Sequence, residues 1–415
     1  MQLKRWLVWA LWLALCALLP RRALAQVVEV GSTHTLFHES PTRTHMTVYT
    51  PGVSAKATPF RWLDVRASYE ADIVSGASVS TKAGSAYQAV NPGADVISTA
   101  SVRDVRHKAG GGLLFRHGDS TLSGGFSYST ENDYRARTLS FAAHTEAYDH
   151  NTQFDLSYAK GFDSVCNRVQ ASSASSTRSL ALENSDGCFT SEPLRGESAV
   201  DSDAFQGSWT QAWTKIFLTQ LLYSGHLLQG FQSNPYRSVI IGQGVKAQEH
   251  HPENRARHSL TLRGNLYLKP LTAALKLSLR GYVDSWGVGA GNVELEFEKY
   301  VAKWIRLSGR GRFYKQSGAL FWSDDYTGGD PPLGPKGQYF TGDRELSPFT
   351  SVMLGTRARF VVPTEGKRLA KVFHSVEFGG GFDVMQFIYD EYTLGGVPVG
   401  NARAYIANLN VLATF

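Results

Sequence analysis

Apolar and polar residues alternate with a period of two along most of the chain. Near the C-terminus Tyr405, Ala407, Leu409, Val411, Ala413 and Phe415 share one face, while Asn408, Asn410 and Thr414 mark the other. Leu122, Gly124, Phe126 and Tyr128 alternate in the same way with Thr121, Ser123, Ser127 and Ser129. Leu275, Leu277, Leu279 and Val283 alternate with Lys276, Ser278, Arg280 and Asp284, and Val293, Leu295 and Phe297 with Glu294, Glu296 and Glu298. This is the period of a strand whose two faces meet different surroundings. It predicts an all-β protein with about sixteen strands, give or take two. They lie near 30–39, 44–55, 61–74, 101–117, 120–132, 134–148, 152–162, 203–214, 217–229, 256–268, 271–284, 288–300, 303–318, 347–361, 370–386 and 402–415.

A soluble sandwich and a transmembrane barrel both fit alternation of this kind. Three features favour an up-and-down barrel. Charged residues fill the alternate face repeatedly, which a water-exposed sheet also allows. Connections after the third strand switch between tight turns (His117 to Ser120, Asp149 to Asn151, Lys269-Pro270) and long segments (75–100, 163–202, 230–255, 319–346). Short turns on one rim and long loops on the other characterise outer-membrane barrels. Aromatic residues collect at strand ends, at Trp213, Phe217, Trp286, Tyr300, Trp304, Phe321 and Trp322, and are expected in the interfacial girdles. Lipid offers no hydrogen bonds, so such a sheet must close to pair every backbone group.

The first segment sets the compartment. Lys4-Arg5, the apolar run Trp6 to Leu19, and Ala23-Leu24-Ala25 have the plan of a secretory signal peptide, cleaved after Ala25 and leaving 26–415 as the barrel. The alternative, a lipoprotein box ending at Cys16, requires a small residue where Leu15 stands. No later apolar stretch approaches 18 residues, so no membrane helix is expected. Charge changes the picture little. Of 42 Lys and Arg, four (Lys4, Arg5, Arg21, Arg22) precede residue 26, leaving 38 against 36 Asp and Glu. That near balance argues against a nucleic-acid partner. Cys166 and Cys188 remain, and in an exported chain they read as a disulfide closing the 163–202 loop.

The polar face then lines a lumen. A ladder of charge is expected there from Lys276, Arg280, Glu294, Glu296, Glu298, Arg306, Arg310, Arg312, Arg357, Arg359, Glu377 and Asp383. Asp64, Arg66, Glu70 and Asp72, facing Arg106 and Lys108, form a second group. Opposite charges on neighbouring strands brace a wall, the preferred reading, or select solutes at a constriction. His250-His251 with Glu249, Glu253 and His258, and Asp324-Asp325 with Asp330, read as polar loops rather than metal sites. The triplets Gly110–Gly112 and Gly379–Gly381 lack a following helix and read as close strand packing. No catalytic motif or cofactor site is evident.

Several strings together are similar to an uncharacterised family of bacterial proteins known only as a domain of unknown function. They are Tyr69 to Ser78, Ile97 to Arg106, Ser129 to Tyr134 and Thr341 to Phe349. The family is thought to form outer-membrane β-barrels, and the terminal Phe415 resembles the signal read by the bacterial barrel-assembly machinery. The resemblance implies a barrel in the outer membrane of a diderm bacterium and carries no activity. Asp72, Asp133, Asp343, Arg344 and Glu345, beside the matching strings, are expected to meet on one rim and tie loops together, ahead of forming a ligand site. The reading is not that of an enzyme. A channel or transporter with a charged lumen ranks first, its solute unknown. A structural or partner-binding barrel with a closed lumen follows, and an outer-membrane hydrolase comes last.

Overall fold

The computed structural model describes residues 27–40, 46–76, 79–81, 96–98, 104–131, 134–168, 195–233, 238–241, 245–324, 326, 332–334, 339–363, 368–369, 372–389, 391–394, 397–398 and 400–415. Sixteen antiparallel strands form one closed barrel. They are β1 (Val28–Glu39), β2 (Met46–Phe60), β3 (Leu63–Gly76), β4 (Asp104–His117), β5 (Ser120–Thr130) and β6 (Tyr134–Ala147). Next come β7 (Thr152–Arg168), β8 (Arg195–Thr214), β9 (Phe217–Gly230), β10 (Asn254–Leu268) and β11 (Ala273–Asp284). The last five are β12 (Gly289–Ala302), β13 (Ile305–Gln316), β14 (Phe349–Val361), β15 (Ser375–Ile388) and β16 (Ala402–Thr414). Each strand pairs with its chain neighbours, and β16 closes on β1 from Glu29↔Thr414 to Glu39↔Ala404. The order is the simplest one that leaves no edge.

The rims are those the connections predict. Residues 61–62, 118–119, 215–216 and 303–304 turn tightly on the rim that holds both barrel termini. Gly118 turns with φ +56, which suits a residue without a Cβ. The other rim carries the long connections 77–103, 169–194, 231–253 and 317–348. β7 and β8, at 17 and 20 residues, run well past the extents read from the sequence and beyond the about 10 residues needed to cross a bilayer. Outside lipid both strand faces meet water. The alternation that marks a strand therefore fades while the backbone pairing continues.

Outward positions carry the apolar alternates, among them Leu122, Phe126, Leu260, Leu262, Leu354 and Leu409, all exposed. No helix among the described residues is long and apolar enough to cross a membrane. A closed barrel with an apolar exterior and a polar interior is built for lipid outside and water inside. The protein is an outer-membrane β-barrel. Phe60, Trp62 and Phe115 stack in series at the tight-turn rim, and Trp304 meets Phe360 edge-on there. Trp213 and Phe217 join them as exposed rings at that rim, as expected. The other four expected girdle residues go elsewhere. Tyr300 shares strand parity with Arg306, whose guanidinium lies 5.9 Å from its ring, on the lumen side. Trp286, Phe321 and Trp322 pack into a core on the long-loop rim.

Candidate functional site

Strand parity decides which side chains enter the lumen. On β11–β13 the inward row runs Lys276, Glu296, Arg310, continuing to Gly355 and Asp383 on β14 and β15. Lys276 Nζ lies 3.2 Å from Glu296 and 3.1 Å from Glu298, and Arg306 lies 3.4 Å from Glu298. Arg310 reaches Glu294 at 3.9 Å and Asp383 at 3.0 Å, and Arg357 reaches the same Asp383 at 2.6 Å. Arg359 pairs with Glu377. Asp383, 1% exposed, is thus held between two guanidiniums. Two glycines make the space. A Cβ on Gly355 would stand 1.8 Å from Asp383 Oδ1, and one on Gly381 2.4 Å from Arg357 Cδ. That close approach is a physical reason for part of the Gly379–Gly381 run.

Two members of the expected ladder behave differently. Arg280 donates only to Ser259 Oγ, at 3.2 Å, and Arg312 only to Met385 Sδ, at 3.7 Å. The structure adds Arg255, Arg257 and Arg263 on β10, inward by the same parity. Their parity was legible, because Arg263 belongs to an evident alternation that continues upward to Arg257 and Arg255. Arg255 bonds Asp284 through Nε at 2.9 Å and lies 4.0 Å over the Trp286 ring. Asp284 also accepts from the Tyr282 hydroxyl and from the backbone N–H groups of Trp286 and Val288. Four residues fill its oxygens with donors, so Arg257, directly opposite in register, makes no hydrogen bond to it.

The second expected group divides. Asp64 is fully buried and accepts from Arg116 at 2.9 Å and from Thr58 at 2.8 Å, with Arg66 at 3.8 Å. Arg106 pairs with Glu70 and Asp72, and Thr50 donates to Asp72 at 2.6 Å. Lys108 stands opposite Glu70 in register without an ion pair. The described members of the expected rim cluster have these partners. Asp72 is a wall residue of β3, while Arg344 of the 317–348 connection bonds Glu39 of β1 at 2.5 and 3.1 Å. Asp343 Oδ1 accepts from the Glu345 backbone at 2.9 Å, capping a single turn. Asp133 and Cys188 lie outside the described residues, and Cys166 stands on β7 opposite Glu197.

Described residues of the 231–253, 285–288 and 317–348 connections form a packed cap. Trp286, Val288, Ala319, Phe321 and Leu346 make its core, with Phe321 fully buried. Glu249 and His251, read from the sequence as solvated, are buried in the same assembly. Thr341 donates to Glu249 at 2.8 Å, and His251 packs on Trp286 and Phe321. Thr393 donates from N and Oγ1 to Asp324, fastening the 389–401 connection, while Asp325 and Asp330 lie outside the described residues. Burial pushes the Tyr389 hydroxyl up to about 12, so it stays neutral beside Arg344. Inward Gln316 donates to the Glu345 and Ser347 carbonyls at 3.0 and 2.7 Å, drawing the cap over the lumen. Between them lies a cavity of about 320 Å³ bordered by Arg255, Arg257, Arg280 and Glu345.

Residues 10–367 match the model of the DUF3570 family, described as proteins of unknown function. The chain belongs to this family. The resemblance drawn from its strings was to such a family, and the closed barrel agrees with it. No curated protein matches the sequence. Among solved structures, a bacterial polysaccharide outer membrane secretin is similar at a TM-score of 0.46 and 8% identity, covering 94% of this chain and 99% of that one. OccAB1 of Acinetobacter baumannii is similar at 0.42 and 8%, covering 95% and 99%. The siderophore receptor PirA from Acinetobacter baumannii is similar at 0.42 and 11%, covering 86% and 53%, so the chain spans about half of that receptor. At such scores and identities these likenesses carry no argument about what this barrel transports or binds.

Proposed function

We propose that the barrel is a channel or transporter whose charged lumen passes small polar solutes across the outer membrane. The observation that carries this is open space along the lumen. About 570 Å³ lies beside β5–β11, about 550 Å³ beside β1–β6, and about 630 Å³ along β8–β13. A sixteen-strand perimeter exceeds what side chains fill. Here the mid-height residues facing the charged wall are small: Ser123, Ser140, Ala142, Ser157, Ala159 and Ala204. A wall of small hydroxyls opposite a wall of charge leaves a wet passage.

A structural or partner-binding barrel is the second reading, and the cap favours it. A loop fastened through Arg344 to Glu39 and through Asp324 to Thr393 narrows the mouth and presents a folded surface outward. A hydrolase has less support. His144 lies 2.8 Å from Asp155, but Ser208 donates to the same carboxylate at 2.8 Å, an arrangement that occupies the hydroxyl. Purified protein in planar bilayers is expected to give discrete current steps. Glu296→Gln and Arg310→Gln should then shift the reversal potential in opposite directions. A silent bilayer, with folding shown by circular dichroism and by mobility on unboiled gels, would turn the assignment to the structural reading.

The barrel's biogenesis belongs to the same proposal: loss of residues 1–25 on export and insertion by the barrel-assembly machinery. A Cys166–Cys188 disulfide is included. Mass mapping of non-reduced peptides is expected to recover the linked pair, and two free thiols would refute it. Its reduction should leave barrel mobility unchanged, since β7 and β8 pair along their length from Arg195↔Arg168 onward.

A further inference from the structure

We infer that Arg257, Arg280 and Arg312 build a binding station for the oxyanion groups, carboxylate or phosphate, of a small solute. This rests on the channel reading only for the solute's passage; binding itself requires no conduction. The first support is a charge excess. Among the described residues β10–β15 turn ten cations inward against six carboxylates. The carboxylates are taken by Arg255, Lys276, Arg306, Arg310, Arg357 and Arg359. Among the described residues Arg257, Arg280 and Arg312 make no ion pair, although Asp284 and Glu294 stand opposite the first and last in register, and Arg263 donates to Gln220 at 3.0 Å. One acid can brace two cations, as Asp383 does, yet these arginines share in no such pair.

The second support is geometric. The Nε atoms of Arg257 and Arg312 are buried without a hydrogen-bond partner. Buried polar groups are seldom left so, and these two lie on either side of Arg280, which shares one lumen space with Arg257 and another with Arg312. Arg280 borders three spaces: the cavity under the cap, the mid-lumen space and the space along β8–β13. In the mid-lumen space the formal charges are Arg257 and Arg280, faced by the hydroxyls of Ser123, Ser140, Ser157 and Ser224. Four acids stand near the station: Asp284, opposite Arg257 in register, is held by Arg255, and Glu296, on the wall of the β8–β13 space, by Lys276. Glu294 faces Arg310, and Glu345 sits on the cap above. Planar guanidinium forks suit carboxylate and phosphate oxygens.

The test is isothermal titration of the full barrel in detergent with citrate and with inorganic phosphate at low salt, beside bilayer recordings. Either anion is expected to bind the native barrel. Binding should weaken roughly tenfold or more in the double variant Arg257→Gln/Arg280→Gln. It should be unchanged in Lys56→Gln, which removes a paired cation from the far wall. Mobility on unboiled gels checks that each variant is folded. Binding that is absent, or equal in all three proteins, overturns the station. Binding with a silent bilayer leaves the station standing and removes the channel reading. Current without binding or anion preference does the reverse.

Discussion

Asp383→Ala is expected to lower barrel stability by about 2–3 kcal/mol, read as a fall in the temperature at which the compact form is lost on gels. Removing one partner of a buried ion pair costs about 3–5 kcal/mol, because the remaining charge is left unpaired. Here one carboxylate serves two arginines, Arg310 and Arg357. They keep 24% and 31% exposure, and lumen water screens part of the loss, which sets the lower figure. Asp383→Asn keeps the shape and removes the charge. It should show most of the same effect if charge decides it, and little if packing does. The lumen also gains net positive charge, so any current should become more anion-selective in both variants. An unchanged melting temperature would mean that the cluster braces nothing.

Phe321→Ala is expected to cost about 3–5 kcal/mol, the usual range for emptying a fully buried aromatic site. The loss falls on the cap and not on the barrel, since Phe321 packs against Trp286, His251 and Tyr339. Local units open at their own free energy, and a loop assembly is weaker than a closed ladder of strands. Limited proteolysis should therefore cut within 317–348 while the unboiled gel still shows a compact barrel. If the cap narrows the passage, conductance should rise in the same variant. Loss of the compact form would instead place the cap within the barrel's cooperative unit.

Much of this architecture was legible along the chain. Sixteen strands, their parity, and the division into tight turns and long loops follow from one physical fact. A strand between lipid and water must alternate, and it stops alternating where the lipid ends. Parity also told which charges enter the lumen, so Lys276, Glu296, Arg310 and Asp383 were readable as inward residues before any distance was known. The extra length of β7 and β8 was not readable, because pairing continues in water without an alternating pattern.

What only the tertiary structure decided is which partner each inward charge takes and what the long loops do. Alternation says that Arg257 and Asp284 share a wall. It does not say that Asp284 is filled by Arg255, Tyr282 and two backbone N–H groups, leaving Arg257 without a hydrogen bond to it. That allocation depends on side-chain reach across three strands and the rim. Trp286, Phe321 and Trp322 are aromatic residues at strand ends in sequence, as girdle residues are. Glu249 and His251 sit in a polar stretch, as solvated loops do. Their burial comes from connections far apart in the chain, 231–253, 285–288 and 317–348, which closure of the barrel brings to one mouth. Sequence determined the cylinder because its alternation repeats a local rule. Packing determined the site because the allocation of acids among the arginines and the cap arise between elements that no local rule connects.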